Sequence, residues 1–422
     1  MIDRRLKKYR LFLLSMLVAT GFAMFFVYKY YVIDTVPDKI LLRRGQEEKI
    51  TFQVPVTATM AMPDSSYLET PIATSVSIVP GEASSYTMDL KYMGIIPLKS
   101  VNLNVVSGQE IAISGIPVGI YVRTSGVLVI DTGSYVNLFE EEVAPSEDIL
   151  QPGDNILKVD GIEVAGKRQF VNMIENADGD EMVLTILRNG EESEVKVTPC
   201  QNEEGIYKIG VWVRDSAQGI GTLSYITKDG EFAALGHGVN DADIGSLIQL
   251  KKGSVYETNI LGIRKADDSH PGELTGVMTF DSSDYVGKIE ENTSKGIFGT
   301  LSESYMETER GKEFLGDCVF YPVALKQEVE RGPAQIYCCI EEASAFYDIM
   351  IDDVIYNPSE ANRGIMLTIT DPQLLMTTGG IVQGMSGSPI VQNGKVVGVV
   401  THVLVKDSTR GYGIFIEEML GH

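Results

Sequence analysis

GMSGSPIVQNGKVVGVV occupies residues 384–400 and reads as a glycine-flanked turn, a short β-run, an Asn-Gly turn and a second β-run. A nucleophilic serine needs a turn that lifts its hydroxyl clear of the ladder and aims backbone N–H groups at a developing oxyanion. Glycines on both sides of Met385-Ser386 open dihedral angles closed to other residues, so the amides of Gly384 and Ser386 can converge on one point. Ser388 reads as structural. Pro389 and the β-rich run after it argue against the strand-to-helix elbow of an α/β-hydrolase. The surrounding 205–422 is rich in short β-runs, glycine and turn residues, which fits paired barrels or a sandwich.

A serine working near neutral pH needs a base, and the chain has four histidines. His422 is terminal, and His270 sits in a polar DDSHP loop. His402, in VVTHV, follows the nucleophile by one strand and reads as a pocket wall or a satisfied core group. His237, in FAALGHGV (232–239), has small neighbours that leave its ring accessible and is the expected base. The carboxylate that orients such an imidazole is open on the residues alone. Asp371, ending the β-run LTITD (367–371), is one candidate, with a turn cap alongside Pro372 as its structural alternative. Asp241, Asp243, Asp281 and Asp284 also follow His237.

Working back toward the N-terminus, 151–164 reads QPGDNILKVDGIEV. Phe170, Met173, Ile174 and Ala177 follow at helical spacing, and then two β-runs, 183–187 and 193–197, flank Asn189-Gly190. Strands, helix and hairpin within 115–200 resemble a PDZ domain of the bacterial protease-associated kind. In that family a peptide adds as a strand beside a loop whose amides hold a terminal carboxylate. The loop matching it here is Ser125, Gly126, Val127 and Leu128. Between 34 and 114, alternating runs such as ITFQVPV (50–56) mix with Pro, Ser and Thr clusters and read as a spacer with some strands.

The first ten residues carry five Lys or Arg against one Asp, and 11–28 is an uncharged apolar run of 18 residues. Its length and the following Lys29-Tyr30-Tyr31 favour an uncleaved transmembrane anchor over 11–33 rather than a signal peptide. The positive-inside rule puts 1–10 in the cytoplasm and the bulk of the chain outside. With 35 Lys+Arg against 58 Asp+Glu, the net charge of −23 makes nucleic acid an unfavourable partner. Four cysteines, two of them the adjacent Cys338 and Cys339, are too few for a disulfide framework; a Cys200–Cys318 pair is open, with free thiols the simpler reading. No metal-ligand spacing occurs and no cofactor is expected.

The 384–400 segment also resembles the nucleophile segment of chymotrypsin-like serine peptidases. Together with IGVWVRDSAQGIGTLSYITKDGEFAALGHGV (209–239), GKIEENTSKGIFG (287–299) and THV (401–403), it resembles the stage IV sporulation protein B peptidase family. That resemblance implies a membrane anchor, a PDZ domain and a mainly β double-barrel serine endopeptidase domain over 205–422. It implies a triad of His237, Asp371 and Ser386 with Gly384 and Ser386 as oxyanion donors. It further implies a membrane-associated regulatory protein as substrate, in signalling across the space between the two membranes of a developing spore, and self-cleavage in the spacer that would release the ectodomain. The short interval from Asp371 to Ser386 departs from the wider superfamily.

Overall fold

An uncharged run of this length satisfies its backbone in a bilayer only as a helix or a closed barrel. In the computed structural model, which describes residues 2–61, 67–81, 83–266, 272–316, 319–340, 343–404 and 406–421, it is one helix, α1 (Ile2–Thr35). Leu6–Thr35 is long and apolar enough to cross a membrane. His270, His422 and Cys318, and with Cys318 its pairing to Cys200, lie outside the described residues.

Where the sequence suggests a spacer, the chain folds. Strands β1 (Lys39–Arg43), β2 (Glu48–Ala61), β3 (Tyr67–Glu69), β4 (Ala73–Ile78), β5 (Ser85–Tyr92) and β6 (Ile96–Val106) form one sheet in the order β1-β6-β5-β2-β3, with β4 on β2. Alternation along β5 sends Tyr86, Met88 and Leu90 inward to meet Phe52, Leu98 and Leu103, and Val32 of α1 and Val36 just after it close the same core. Burial of this set is what holds the segment folded.

Strand β7 (Glu110–Thr132) serves two domains. Its second half joins β8 (Asn155–Val159), β9 (Met182–Arg188) and β10 (Glu191–Val197) in the PDZ sheet, with α2 (Lys167–Glu175) packed on it through Phe170 and Ile174. The β9–β10 turn is the expected Asn189-Gly190, both at positive φ. Ser125–Leu128 is therefore strand, not a carboxylate-holding loop: Val127 and Leu128 face Ile156 and Asn155 of β8, and the Ser125 amide donates to the Gln249 carbonyl at 3.1 Å. Gly126, at φ 68, carries the crossing from one domain to the other; a Cβ there would lie 2.0 Å from the Ile156 carbonyl oxygen.

The first half of β7 closes a six-stranded barrel with β11 (Val211–Ile226), β12 (Glu231–Ala234), β13 (Leu250–Arg264), β14 (Tyr285–Thr293) and β15 (Gly296–Leu301). A second closed barrel follows: β16 (Gly332–Cys339), β17 (Ser344–Val354), β18 (Ile365–Ile369), β19 (Pro389–Gln392), β20 (Lys395–Leu404) and β21 (Asp407–Phe415). Helix α3 (Pro372–Thr378) leaves β18 on the way to the nucleophile segment. The barrels meet on an apolar seam of Ile113, Tyr225, Phe298, Val396, Val399 and Ile414, so the mainly β double-barrel expectation holds.

Candidate active site

His237 comes from the first barrel and Ser386 from the second. Beyond β12 the chain reverses through Leu235 (φ 73) and Gly236 (φ 68) before presenting His237. A bulky leucine in the left-handed region costs on the order of 1–3 kcal/mol, which the packing of the barrel seam must hold in place. Gly236 admits no side chain, since a Cβ would lie 2.6 Å from Val399 and 3.0 Å from Thr401.

The nucleophile turn presses against this reversal. A Cβ on Gly387 would meet the Thr222 carbonyl oxygen at 2.2 Å and the Leu235 nitrogen at 2.7 Å, and both Gly384 (φ 102) and Gly387 (φ 100) occupy the positive-φ region. Thr222 of β11 ties the two barrels together here. Its amide donates to the Ser386 carbonyl at 3.0 Å and its hydroxyl to the Gly384 carbonyl at 2.6 Å, while its own carbonyl accepts from the Leu235 amide at 3.2 Å. The carbonyls of the turn are thus held toward the first barrel. Among the described residues no acceptor lies on the amides of Gly384 and Ser386. Thr222 carried no signal in the sequence, because its role depends on a contact 162 positions away.

Ser386 Oγ donates to the Thr401 carbonyl at 2.6 Å, and the next residue, His402, lies with its ring centroid 5.0 Å from that of His237. Two consecutive residues of β20 therefore touch the serine and the imidazole. His237 Nδ1 sits 2.9 Å from the Gly238 carbonyl, so the tautomer that donates there leaves Nε2 as the proton acceptor. Burial depresses the pKa of His237, opposed in part by that carbonyl. Burial, and then the neighbouring His237 and Arg363, lower His402 to about 4. Both shifts favour the neutral ring, and among the described residues His402 Nδ1 has no hydrogen-bond partner.

Asp371 is elsewhere in its bonding. One carboxylate oxygen caps α3, accepting from the amides of Gln373 and Leu374 at 2.9 Å each, and the other accepts from the Asp348 amide at 3.4 Å. None of these partners is His237. Pro372 at the first helical position completes a regular helix start. Asp241 is buried against Arg214 at 2.6 Å, and Asp243 takes the other arm of the same guanidinium at 2.6 Å.

A cavity of about 530 Å³ opens in front of His237, walled by His402, Leu235 and the 216–220 stretch of β11. A second, of about 360 Å³, lies between α2 (Phe170, Val171, Ile174) and the start of β11 (Val211, Trp212, Val213), with Tyr207–Gly210 at its end. On its β7 side β11 is paired from Val211 onward; on the other side the recorded ladder with β12 begins only at Leu223. Among the described residues, one open strand edge thus runs from the PDZ groove to the cavity in front of His237. The run IGVW (209–212), entering a strand after the hairpin, is the signal that locates this groove. Among the described residues no cluster of His, Cys, Asp and Glu is arranged to hold a metal ion.

Two family models match consecutive parts of the chain. The family model of the SpoIVB peptidase S55 matches residues 205–420 and that of the PDZ domain matches 115–198. The chain is 35% identical over 103 residues to a probable membrane metalloprotease, ARASP2, of the Arabidopsis thaliana chloroplast; this spans 23% of the chain and 22% of that protein. Among solved structures, the active form of the Rv3671c protease from M. tuberculosis is 15% identical, covering 49% of this chain and 72% of its own, with a TM-score of 0.25. The PDZ domain of an SdrC-like protein from Listeria monocytogenes is 21% identical, covering 21% of this chain and 87% of its own, with a TM-score of 0.18.

Proposed function

The chain belongs to the SpoIVB peptidase S55 family and is a serine endopeptidase, and from that premise we propose that Ser386 is its nucleophile and His237 its base. The observation that carries this is the glycine-flanked turn packed against the reversal bearing His237, with Ser386 bonded to Thr401 and His237 against His402, consecutive residues of β20. Ser386 Oγ turns from the Thr401 carbonyl to His237 Nε2, attacks a peptide carbonyl carbon and gives up its proton to that nitrogen. The amides of Gly384 and Ser386 hold the oxyanion. His237 returns the proton to the leaving amine, and water then hydrolyses the acyl-enzyme by the same steps.

Asp371 is proposed as the third member on the family resemblance. Its cap on α3 favours a second reading, in which it sets the approach of the segment leading to Ser386 and acts on the chemistry only through that positioning. The PDZ groove is proposed to take an extended peptide on the open edge of β11, beside α2, so that one strand addition serves both recognition and presentation to the cleft.

The proposed substrate is a membrane-associated regulatory protein in sporulation signalling. The peptidase is held close to the anchor's exit: Asn357 of the second barrel donates to the carbonyls of Asp34 and Val36 at 3.0 Å each, which favours cut sites near a bilayer. Self-cleavage of the 34–114 segment needs local opening, because its strands are folded around a buried core rather than extended. The full chain in lipid vesicles, mixed with a peptide digest and read by mass spectrometry, should give new cut products that Ser386→Ala does not. Equal products from both would defeat the proposal.

A further inference from the structure

The tip of the β5–β6 hairpin is apolar and exposed. Met93 is 63% exposed and Ile95 83%, with Ile96 beside them at 43%. The turn is tight: the Ile95 amide donates to the Tyr92 carbonyl at 3.1 Å, and Met93 (φ 51) and Gly94 (φ 76) both take positive φ. A turn whose two central residues both take positive φ favours Asn or Asp at the first of them, so a methionine there adds strain and puts apolar surface at the apex.

Contacts with α1 fix the height of this tip. Lower on the hairpin, Lys99 donates from Nζ to the carbonyls of Ile33 and Val36, and it pairs with Asp38 at 2.8 Å. Nearer the tip, the Tyr92 ring centroid lies 5.1 Å from Tyr28 and 5.9 Å from Phe25. Tyr92 pairs in register with Ile96, so running from Lys99 back to Ile96 descends α1 from the level of Ile33–Val36 to that of Phe25–Tyr28. The two measures agree: three strand steps cover about 10 Å, as do seven or so helical residues. Phe25–Tyr28 is the end of the uncharged run, which at 18 residues spans about 27 Å, close to the thickness of a bilayer's hydrocarbon core.

Other groups on this rim set the depth. Tyr28 Oη donates to the Pro55 carbonyl, and Ile72, 56% exposed, adjoins Ala73, which pairs with Val56. The Glu69 carboxylate lies behind Gly94, 3.8 Å from where a Cβ would stand, and Lys91 precedes the tip on β5. An acid this close suits seating at the headgroup boundary and not deep in the acyl chains.

We propose that the Met93–Ile96 turn, with Ile72 beside it, is a second membrane contact that dips into the leaflet from which the anchor emerges. It rests on reading α1 as a membrane anchor. Two contacts, helix and hairpin, stop the ectodomain from pivoting on a single stalk, and through the N-terminal sheet they fix the height of the catalytic cleft above the bilayer.

The test places a single tryptophan at chosen sites in the full chain, in a Trp212→Phe background, reconstituted in phosphatidylcholine–phosphatidylglycerol vesicles brominated near the headgroup end of the acyl chains. Ile95→Trp should lose about half its emission or more relative to unbrominated vesicles, as expected for a ring within about 5–10 Å of the boundary. Phe26→Trp, in the anchor, should be quenched too, and Val79→Trp, at the far end of β4 and 63% exposed in the native chain, should not. Quenching at 26 without quenching at 95 overturns the hairpin contact and leaves the anchor standing. Equal quenching at 95 and 79 also overturns it, as unspecific adsorption, and no quenching at 26 removes both the anchor reading and the contact built on it.

Discussion

The two barrels of the peptidase carry one of the proposed catalytic groups each, but they are tied to the rest of the molecule by different means. The first, with His237, shares β7 and β11 with the PDZ domain, so a continuous backbone ladder joins base and peptide groove. The second, with Ser386, is closed on itself and meets the N-terminal sheet through side chains. Arg43 donates to Glu48 at 2.9 Å, to the Val323 carbonyl at 2.8 Å and to Glu328, and Gln327 donates to the Leu41 carbonyl at 2.7 Å. A ladder transmits a change of register along its whole length, whereas an ion-pair joint holds or lets go. On the proposed roles, peptide binding is thus positioned to act on His237, and the membrane side on Ser386.

The largest effect comes from removing the base. His237→Ala should cost about 10⁴-fold or more in kcat on a peptide substrate while leaving the melting temperature near that of the wild type. The pH dependence sharpens the same point. Because burial lowers the His237 pKa, the acid limb of the kcat/KM profile should fall below pH 6.5, and activity should be lost as pH drops through that lowered value. His402, at about 4 when folded, adds a stability term of the same sign: complete above its unfolded value near 6.5 and lost as pH falls toward 4.

Breaking the ion-pair joint is next. Burial alone would raise the Glu328 carboxyl, but hydrogen bonds from Arg43 and Lys395 outweigh it and bring the group to about 2. Arg43→Ala leaves that carboxylate without its guanidinium and should destabilise by about 3 kcal/mol. Hydrogen exchange should rise in β1, β2 and β6 and not in the PDZ sheet; a rise in both would erase the distinction between the two kinds of joint.

Thr222→Val removes one hydroxyl from the meeting point of the barrels. The Gly384 carbonyl loses its partner in a buried site, and the expected cost is about 1–3 kcal/mol in stability. The oxyanion turn is expected to loosen as well, with kcat falling and KM holding; a fall in stability alone would confine Thr222 to a structural role.

The smallest effect separates the two readings of Asp371. Asparagine still caps a helix, so Asp371→Asn should leave stability nearly unchanged, while Asp371→Ala loses about 1 kcal/mol. A triad carboxylate would show itself as a large drop in kcat in both variants. A positioning cap would show activity kept in the asparagine variant and reduced in the alanine one.

What the sequence disclosed follows the range of the interactions involved. The nucleophile turn, the hairpin at Asn189-Gly190 and the amphipathic face of α2 are local, and each is legible as a short string. The groove is not local: its walls are α2 and a strand that begins at Val211, inserted beside β7, so a search ahead of the QPGDNILKVDG stretch lands on Ser125–Leu128 inside the sheet. The N-terminal domain escaped for the same reason. Its β1 pairs in parallel with β6 some sixty residues on, and Pro55 and Pro80 interrupt the alternation that would mark its strands. Asp371 followed by Pro372 fits a helix start as well as a catalytic loop, and only the amides of Gln373 and Leu374 show which bonds it makes.

The pairing of Ser386 with His237 across the seam is tested most directly by labelling the full chain in vesicles with a fluorophosphonate and locating the adduct by mass spectrometry. One adduct, on Ser386, absent from Ser386→Ala and strongly slowed in His237→Ala, is the predicted result. An adduct that persists in Ser386→Ala, or forms as fast in His237→Ala as in the wild type, would contradict it.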